Sequence, residues 1–150
     1  MDKNALINKL KKLGYEKYRA IKRLKEYVEL SCFTYKSVYK GKGLKNDYKS
    51  AFGDAYDKYG LYIFYEAITN EVLYVGEAAS EPFSNRLSQH FNQSHGGLRE
   101  KFKADAARLQ RLENSNILVL YIKKGSPLHR TIHFDEDLLI GLLCPEWNDR

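Results

Sequence analysis

An α+β fold is predicted for this chain: a small three-stranded, mainly antiparallel sheet flanked by helices, with a basic helical arm in front. Three features carry that expectation. Residues 61–66 and 72–75 are dense in aromatic and β-branched types and stand at hairpin distance across residues 67–71. Residues 117–122 are a continuous apolar run of strand length. Elsewhere apolar residues recur at helical spacing, and the excess of Lys and Arg is concentrated ahead of the hairpin.

At 150 residues the chain can bury one core of its own. A formal net charge of +6 and a pI near 9.2 favour a polyanionic partner. Residues 1–50 hold 14 Lys/Arg against 5 Asp/Glu, a net of +9, whereas residues 51–150 hold 11 against 14, a net of −3. The expected division is therefore an arm over residues 1–57 and a folded unit over 58–150. Cys32 and Cys144 are far apart and neither sits in a C-x-x-C pair. That argues against a zinc knuckle or a disulfide framework, and for reduced thiols in a cytoplasmic protein. No apolar run reaches the ~18 residues of a membrane span, and the start MDKNALINKLKKLG lacks a signal peptide's apolar stretch, so no membrane partner is expected.

Residues 2–31 read as two helices broken near Gly14. Leu6, Leu10 and Leu13 share one face, and Tyr18, Ile21, Leu24 and Val28 another; Lys9, Lys12, Arg19, Lys22, Arg23 and Lys25 face outward. Such helices can cover a domain surface, pair two copies into a homodimer, or lie along DNA phosphates, and periodicity does not separate these. In residues 32–59 Lys36, Lys40, Lys42, Lys45 and Lys49 interleave with Tyr35, Tyr39 and Tyr48. This pattern suits phosphate contact with stacking, and equally packing of the arm. The five lysines are the candidate DNA-binding residues.

The hairpin brings Tyr62 and Tyr74 onto adjacent strands. Pro82 signals a helix start, and in that helix Arg86 and His90 stand one turn apart on one face. Gly96 and Gly97 break the chain, with His95 exposed beside them. One helix is expected over 98–113, burying Leu98, Phe102, Ala106, Leu109 and Leu112. Lys123, Lys124 and Gly125 close the last strand, and a final helix carrying Leu138, Leu139, Leu142 and Leu143 stops before Pro145. The order is β-β-α-α-β-α behind the arm.

On these residues the chain resembles the GIY-YIG nucleases. Gly60-Leu61-Tyr62 and Tyr74-Val75-Gly76 match the two signature tripeptides, with eleven residues between the tyrosines. Arg86, His90 and a glutamate in a late helix, Glu136, follow in order. The stretch from Glu136 to Asn148 is similar to the family's closing E-x-x-x-[IL]-x4-P-x-[WY]-N, and its Leu-Leu-Ile and Pro-Glu-Trp-Asn wording is most similar to the restriction-endonuclease branch. The resemblance covers about residues 58–150.

The resemblance implies a DNA endonuclease of restriction type that uses Mg²⁺, for which Mn²⁺ can substitute. Phosphodiester hydrolysis needs an activated water, neutralised phosphoryl oxygens and help for the leaving oxygen. Glu136, a lone carboxylate near a helix start, would hold the metal. Arg86 would fork onto the scissile phosphate. Tyr62 would take the proton of the attacking water; a free tyrosine has a pKa of ~10, so His90, Arg86 and the metal are expected to supply the positive charge that favours its phenolate. Tyr74 would order the water or the phosphate, and Asn148 would pin the C-terminal tail.

Many family members follow the second tripeptide with lysine, whereas this chain has Glu77. That residue reverses the local charge, adds a metal contact or points away. If it spoils activation, the chain is a DNA-binding protein that keeps the fold without cutting. A separate reading opens the last helix at Ser126-Pro127, which places His129, His133 and Glu136 at i, i+4 and i+7 for a zinc-dependent hydrolase. No P-loop or dinucleotide fingerprint is present, so nucleotide hydrolysis is not implied.

Overall fold

A computed structural model describes residues 1–15, 19–41, 46–92, 96–123 and 125–149. Its strands are β1 (Val28–Thr34), β2 (Gly60–Tyr65), β3 (Val72–Ala78) and β4 (Asn116–Tyr121). They form one antiparallel sheet in the order β1-β4-β2-β3. Eight helices accompany it among the described residues: α1 (Lys3–Lys12), α2 (Arg19–Leu24), α3 (Tyr35–Val38), α4 (Tyr48–Phe52), α5 (Phe83–Phe91), α6 (Leu98–Lys101), α7 (Ala106–Glu113) and α8 (Ile132–Leu143). None is long and apolar enough to cross a membrane.

All six residues of β2 are buried, because the strand is central and both faces of the sheet are covered. Side chains alternate along it. Leu61, Ile63 and Tyr65 enter a core with Val75, Leu118 and Leu120, closed by Leu6 and Leu10 of α1, Leu24 of α2 and Leu139 of α8. Tyr62 and Phe64 enter a second core with Ile117 and Val119, closed by Phe83 and Leu87 of α5, Phe52 of α4 and Leu112 of α7.

The architecture is the expected α+β arrangement, an antiparallel sheet flanked by helices, but it has a fourth strand. The stretch read as helix through residue 31 turns into β1 at Val28, and α2 ends at Leu24. Val28 continues the helical spacing of Ile21 and Leu24, yet β1 pairs with β4, Leu30 against Val119 and Phe33 against Ile117. Long-range pairing overrides local periodicity here. Residues 1–57 therefore contribute to the same sheet and to both cores as the residues beyond 58. The single helix expected over 98–113 is two, because the Asp105 carboxylate accepts the Arg108 backbone N–H at 3.1 Å and starts α7 afresh. Leu98, Phe102 and Leu112 stay buried, while Ala106 is exposed.

α2 is fastened to α8 by a polar contact. Arg23 Nε donates to Asp135 Oδ1 at 2.7 Å and Tyr27 Oη donates to Asp135 Oδ2 at 2.9 Å, with Asp135 fully buried. Asp135 immediately precedes Glu136, so this contact sets the start of α8. Asp135→Ala strands two donors and is expected to cost about 3 kcal/mol or more, the scale of removing one partner from a buried pair. An unchanged denaturation midpoint would contradict that.

Candidate active site

The expected site residues gather at the outer edge of β3. There α5 approaches from one face of the sheet and α8 from the other. A cleft of about 320 Å³ opens between them, lined by Tyr74, Glu77, Arg86, His90, Glu136 and Asn148 among others.

Tyr62 is fully buried behind Gly76 and His90, which line this cleft, and pairs in register with Gly76. A Cβ on Gly76 would lie 2.5 Å from the Tyr62 hydroxyl oxygen, so only glycine leaves room for the ring. Gly60 is required for a related reason: its φ is +157°, and a Cβ there would collide with the Leu120 carbonyl of β4.

Tyr62 Oη lies 2.8 Å from His90 Nε2, and His90 Nδ1 accepts the Leu98 backbone N–H at 3.1 Å. A neutral imidazole carries one ring proton. With Nδ1 an acceptor, that proton sits on Nε2 and is donated to Tyr62. Gly97 permits the arrangement, since a Cβ there would collide with the Gln89 carbonyl and push Leu98 away. Burial, and then the Arg86 charge, lower the His90 pKa from its ordinary 6.5 to about 3. The expectation of a cationic His90 is thus corrected: burial strips it of charge, and it offers Tyr62 a hydrogen bond instead. Burial first, and Tyr74 next, raise the Tyr62 pKa well above its ordinary value, while Arg86 pulls it down. Tyr62 is a neutral phenol in the resting protein.

The His90 shift has a consequence for stability. Its folded pKa lies below its unfolded one, so the unfolded chain takes up the proton first as pH falls. The stability this contributes is complete above the ordinary 6.5 and lost progressively towards about 3. The melting temperature is expected to fall between pH 7 and pH 4, and to fall less in His90→Gln. Equal slopes for the two proteins would contradict the buried neutral state.

Tyr74 is half-buried, its ring centroid 5.2 Å from that of His90 and 6.2 Å from that of Tyr62. Arg86 fronts the cleft, donating from Nη1 to Gln89 Oε1 at 2.9 Å and from Nε to the Glu77 carbonyl at 3.4 Å. Asn148 pairs with the free edge of β3 as a strand would: Oδ1 accepts the Val75 N–H and Nδ2 donates to the Val75 carbonyl, both at 2.9 Å. The Trp147 backbone N–H donates to the Leu73 carbonyl at 2.8 Å, so the tail covers the edge beside the cleft.

Glu136 is buried on α8 and faces Glu77 and His133. Each of the three offers one ligand atom, and these atoms all lie within 4.8 Å of one another. Among the described residues this is the group of His, Cys, Asp and Glu able to hold a metal ion. The sequence left the direction of Glu77 open. Strand alternation decides it, because Val75 belongs to the α8-side core and Glu77 stands two residues on. That alternation was readable in advance, as was the proximity of His133 to Glu136 along one helix; the part played by Gly97 and Leu98 was not.

His129 does not join His133. Residues Pro127–Thr131 form a 3-10 turn rather than the first turn of α8, so the i, i+4 spacing does not put the two imidazoles together. The His129 ring stands edge-on to Tyr59 at 5.1 Å, beside a different cleft. The zinc reading built on His129 and His133 therefore lacks its site.

Lys36, Lys40 and Lys49 are exposed, whereas Tyr35 is buried and packs on Phe91 at 4.5 Å, its hydroxyl donating to the His90 carbonyl at 3.1 Å. Tyr48 packs on Phe52 and Phe91. Tyr35 and Tyr48 hold α3 and α4 against α5. Lys42 and Lys45, like Tyr18, His95 and Lys124, lie outside the described residues.

In comparisons with known proteins, a family model described as the GIY-YIG catalytic domain matches residues 58–134, ending just ahead of Glu136. Neither the curated proteins nor the solved structures gave a match.

Proposed function

Because the chain belongs to the GIY-YIG family of nucleases, whose catalytic-domain model spans just over half of it, we propose that it is a Mg²⁺-dependent DNA endonuclease of restriction type. The observation that carries the reading is a single cleft that joins Arg86, Tyr74 and Glu136 to the buried Tyr62–His90 pair. The donors there are oxygen-rich and suit a hard divalent cation, Mg²⁺ or Mn²⁺, with Glu136 as the ligand expected from the family. When bound, such an ion neutralises charge on the phosphate oxygens.

Tyr62 acts as the acceptor of the water's proton once its own phenol proton has passed to bulk water by way of the cleft, leaving the phenolate. Burial opposes that state, and two groups favour it: the Arg86 guanidinium, and the His90 Nε2–H already directed at the phenol oxygen. His90 does not relay the proton, since Nε2 is occupied by hydrogen and Nδ1 by the Leu98 N–H. It keeps a hydrogen bond on the oxygen that turns negative, in a dry surrounding where such a bond is strong. Arg86 binds a non-bridging phosphate oxygen, its side chain steadied by Gln89 and the Glu77 carbonyl. Tyr74, at the cleft wall, orders the water or the phosphate. Lys36, Lys40 and Lys49, with Lys42 and Lys45, contact phosphates away from the reacting group without reading sequence.

The restriction assignment draws on the closing Pro-Glu-Trp-Asn stretch and is tested by mapping the ends of a DNA digest. One fixed sequence at every cut is the expected result. Ends scattered without a common sequence would leave a nuclease and remove the restriction role.

A further inference from the structure

The resemblance to the family assigns the metal to a lone glutamate, and Glu77 stands where lysine is common. On the nuclease reading above, lysine there would place a positive charge beside Glu136; this chain places a second carboxylate. Glu77 Oε1 lies 2.8 Å from His133 Nδ1. Glu77 Oε2 is buried with no hydrogen-bond partner among the described residues. A buried carboxylate oxygen without a donor is costly, more so beside the like charge of Glu136. A divalent cation removes both penalties at once.

We propose that Glu77 and Glu136 together hold the divalent ion, with His133 as a third protein ligand, so that this chain has a two-carboxylate, one-imidazole metal centre. The spacing fits: neighbouring ligands on an octahedral ion with bonds of ~2.1 Å stand roughly 3 Å apart, and Glu77 Oε1 and His133 Nδ1 already stand at 2.8 Å. His133 Nε2 lies 3.3 Å from Asp137 Oδ2, a carboxylate behind the ring of the kind that fixes metal-binding imidazoles. The Arg86 Nε–H bond to the Glu77 carbonyl couples the backbone at this ligand to the phosphate-binding arginine. An imidazole among the donors favours Mn²⁺ over Mg²⁺ more than an all-oxygen site does.

The test is calorimetric titration of the full chain, without DNA, with Mn²⁺ and separately with Mg²⁺. Wild type is compared with Glu77→Gln, His133→Ala and Glu136→Gln, each checked for a cooperative melt. Glu77→Gln is expected to weaken Mn²⁺ binding by about tenfold or more, and His133→Ala to bring the Mn²⁺ affinity towards that for Mg²⁺. Wild-type Mn²⁺ affinity in Glu77→Gln, with binding lost in Glu136→Gln, would overturn the two-carboxylate centre and leave the nuclease reading standing. Wild-type affinity in Glu136→Gln as well would overturn both. Melting in chelator supplies a check on folding: without metal, Glu77→Gln relieves a repulsion and is expected to melt no lower than wild type, and a lower melt would contradict the repulsion on which the centre is argued.

Discussion

Tyr62→Phe is expected to lower the cleavage rate by ~10²-fold or more, the scale of losing a general base, while the protein still folds. The ring stays in place over Gly76 and keeps its contacts in the second core. One oxygen is removed, and with it the acceptor for His90 Nε2–H. That donor is buried, so a stability loss of roughly 1–3 kcal/mol accompanies the change. It is too small to account for the kinetic loss if the variant remains folded at the assay temperature, which circular dichroism and a melt check directly. Tyr74→Phe keeps the packing against His90 and removes an oxygen at the cleft wall, and a smaller rate loss is expected. A larger loss for Tyr74→Phe than for Tyr62→Phe would reverse the roles assigned to the two tyrosines.

Glu136→Gln is expected to abolish cutting and to leave DNA affinity nearly unchanged. The amide has the shape of the carboxylate and lacks its charge, so metal binding is lost without a cavity or a clash. Most phosphate contacts are ascribed to lysines distant in sequence, Lys36, Lys40 and Lys49, which the substitution does not touch. Gel-shift affinity measured in chelator and cleavage measured in Mg²⁺ separate the two effects. Near-wild-type cleavage by the purified variant would remove Glu136 from the site.

The parts legible in the sequence were those fixed by local rules. The β2–β3 hairpin follows from two β-rich runs and a short connection, α5 from its periodicity after Pro82, and the end of α8 from Pro145, before which Cys144 takes a left-handed conformation at φ +46°. Asn148 sits beside the site as expected, although it lies close to the chain end. What failed depended on contacts distant in sequence. Val28 fits a helix by spacing and is a strand residue because β4 needs a partner. Arg23, read as an outward-facing cation, is bound to Asp135 on α8, 112 residues later. His90 is given a charge in the sequence reading because a Tyr62 phenolate needs cations nearby; its charge state follows from burial, which no spacing reveals. Glu77, a departure from the family's lysine with a metal contact among its open readings, is placed beside Glu136 by strand alternation and α8.

The most direct measurement is conversion of supercoiled plasmid by the purified full chain in Mg²⁺, beside chelator-treated protein and Tyr62→Phe prepared in the same way. The account predicts nicked or linear product with wild type in Mg²⁺ alone, and at most about a hundredth of that rate in the other two samples. Plasmid that is bound and shifted but never cut would contradict it, as would equal cutting in all three.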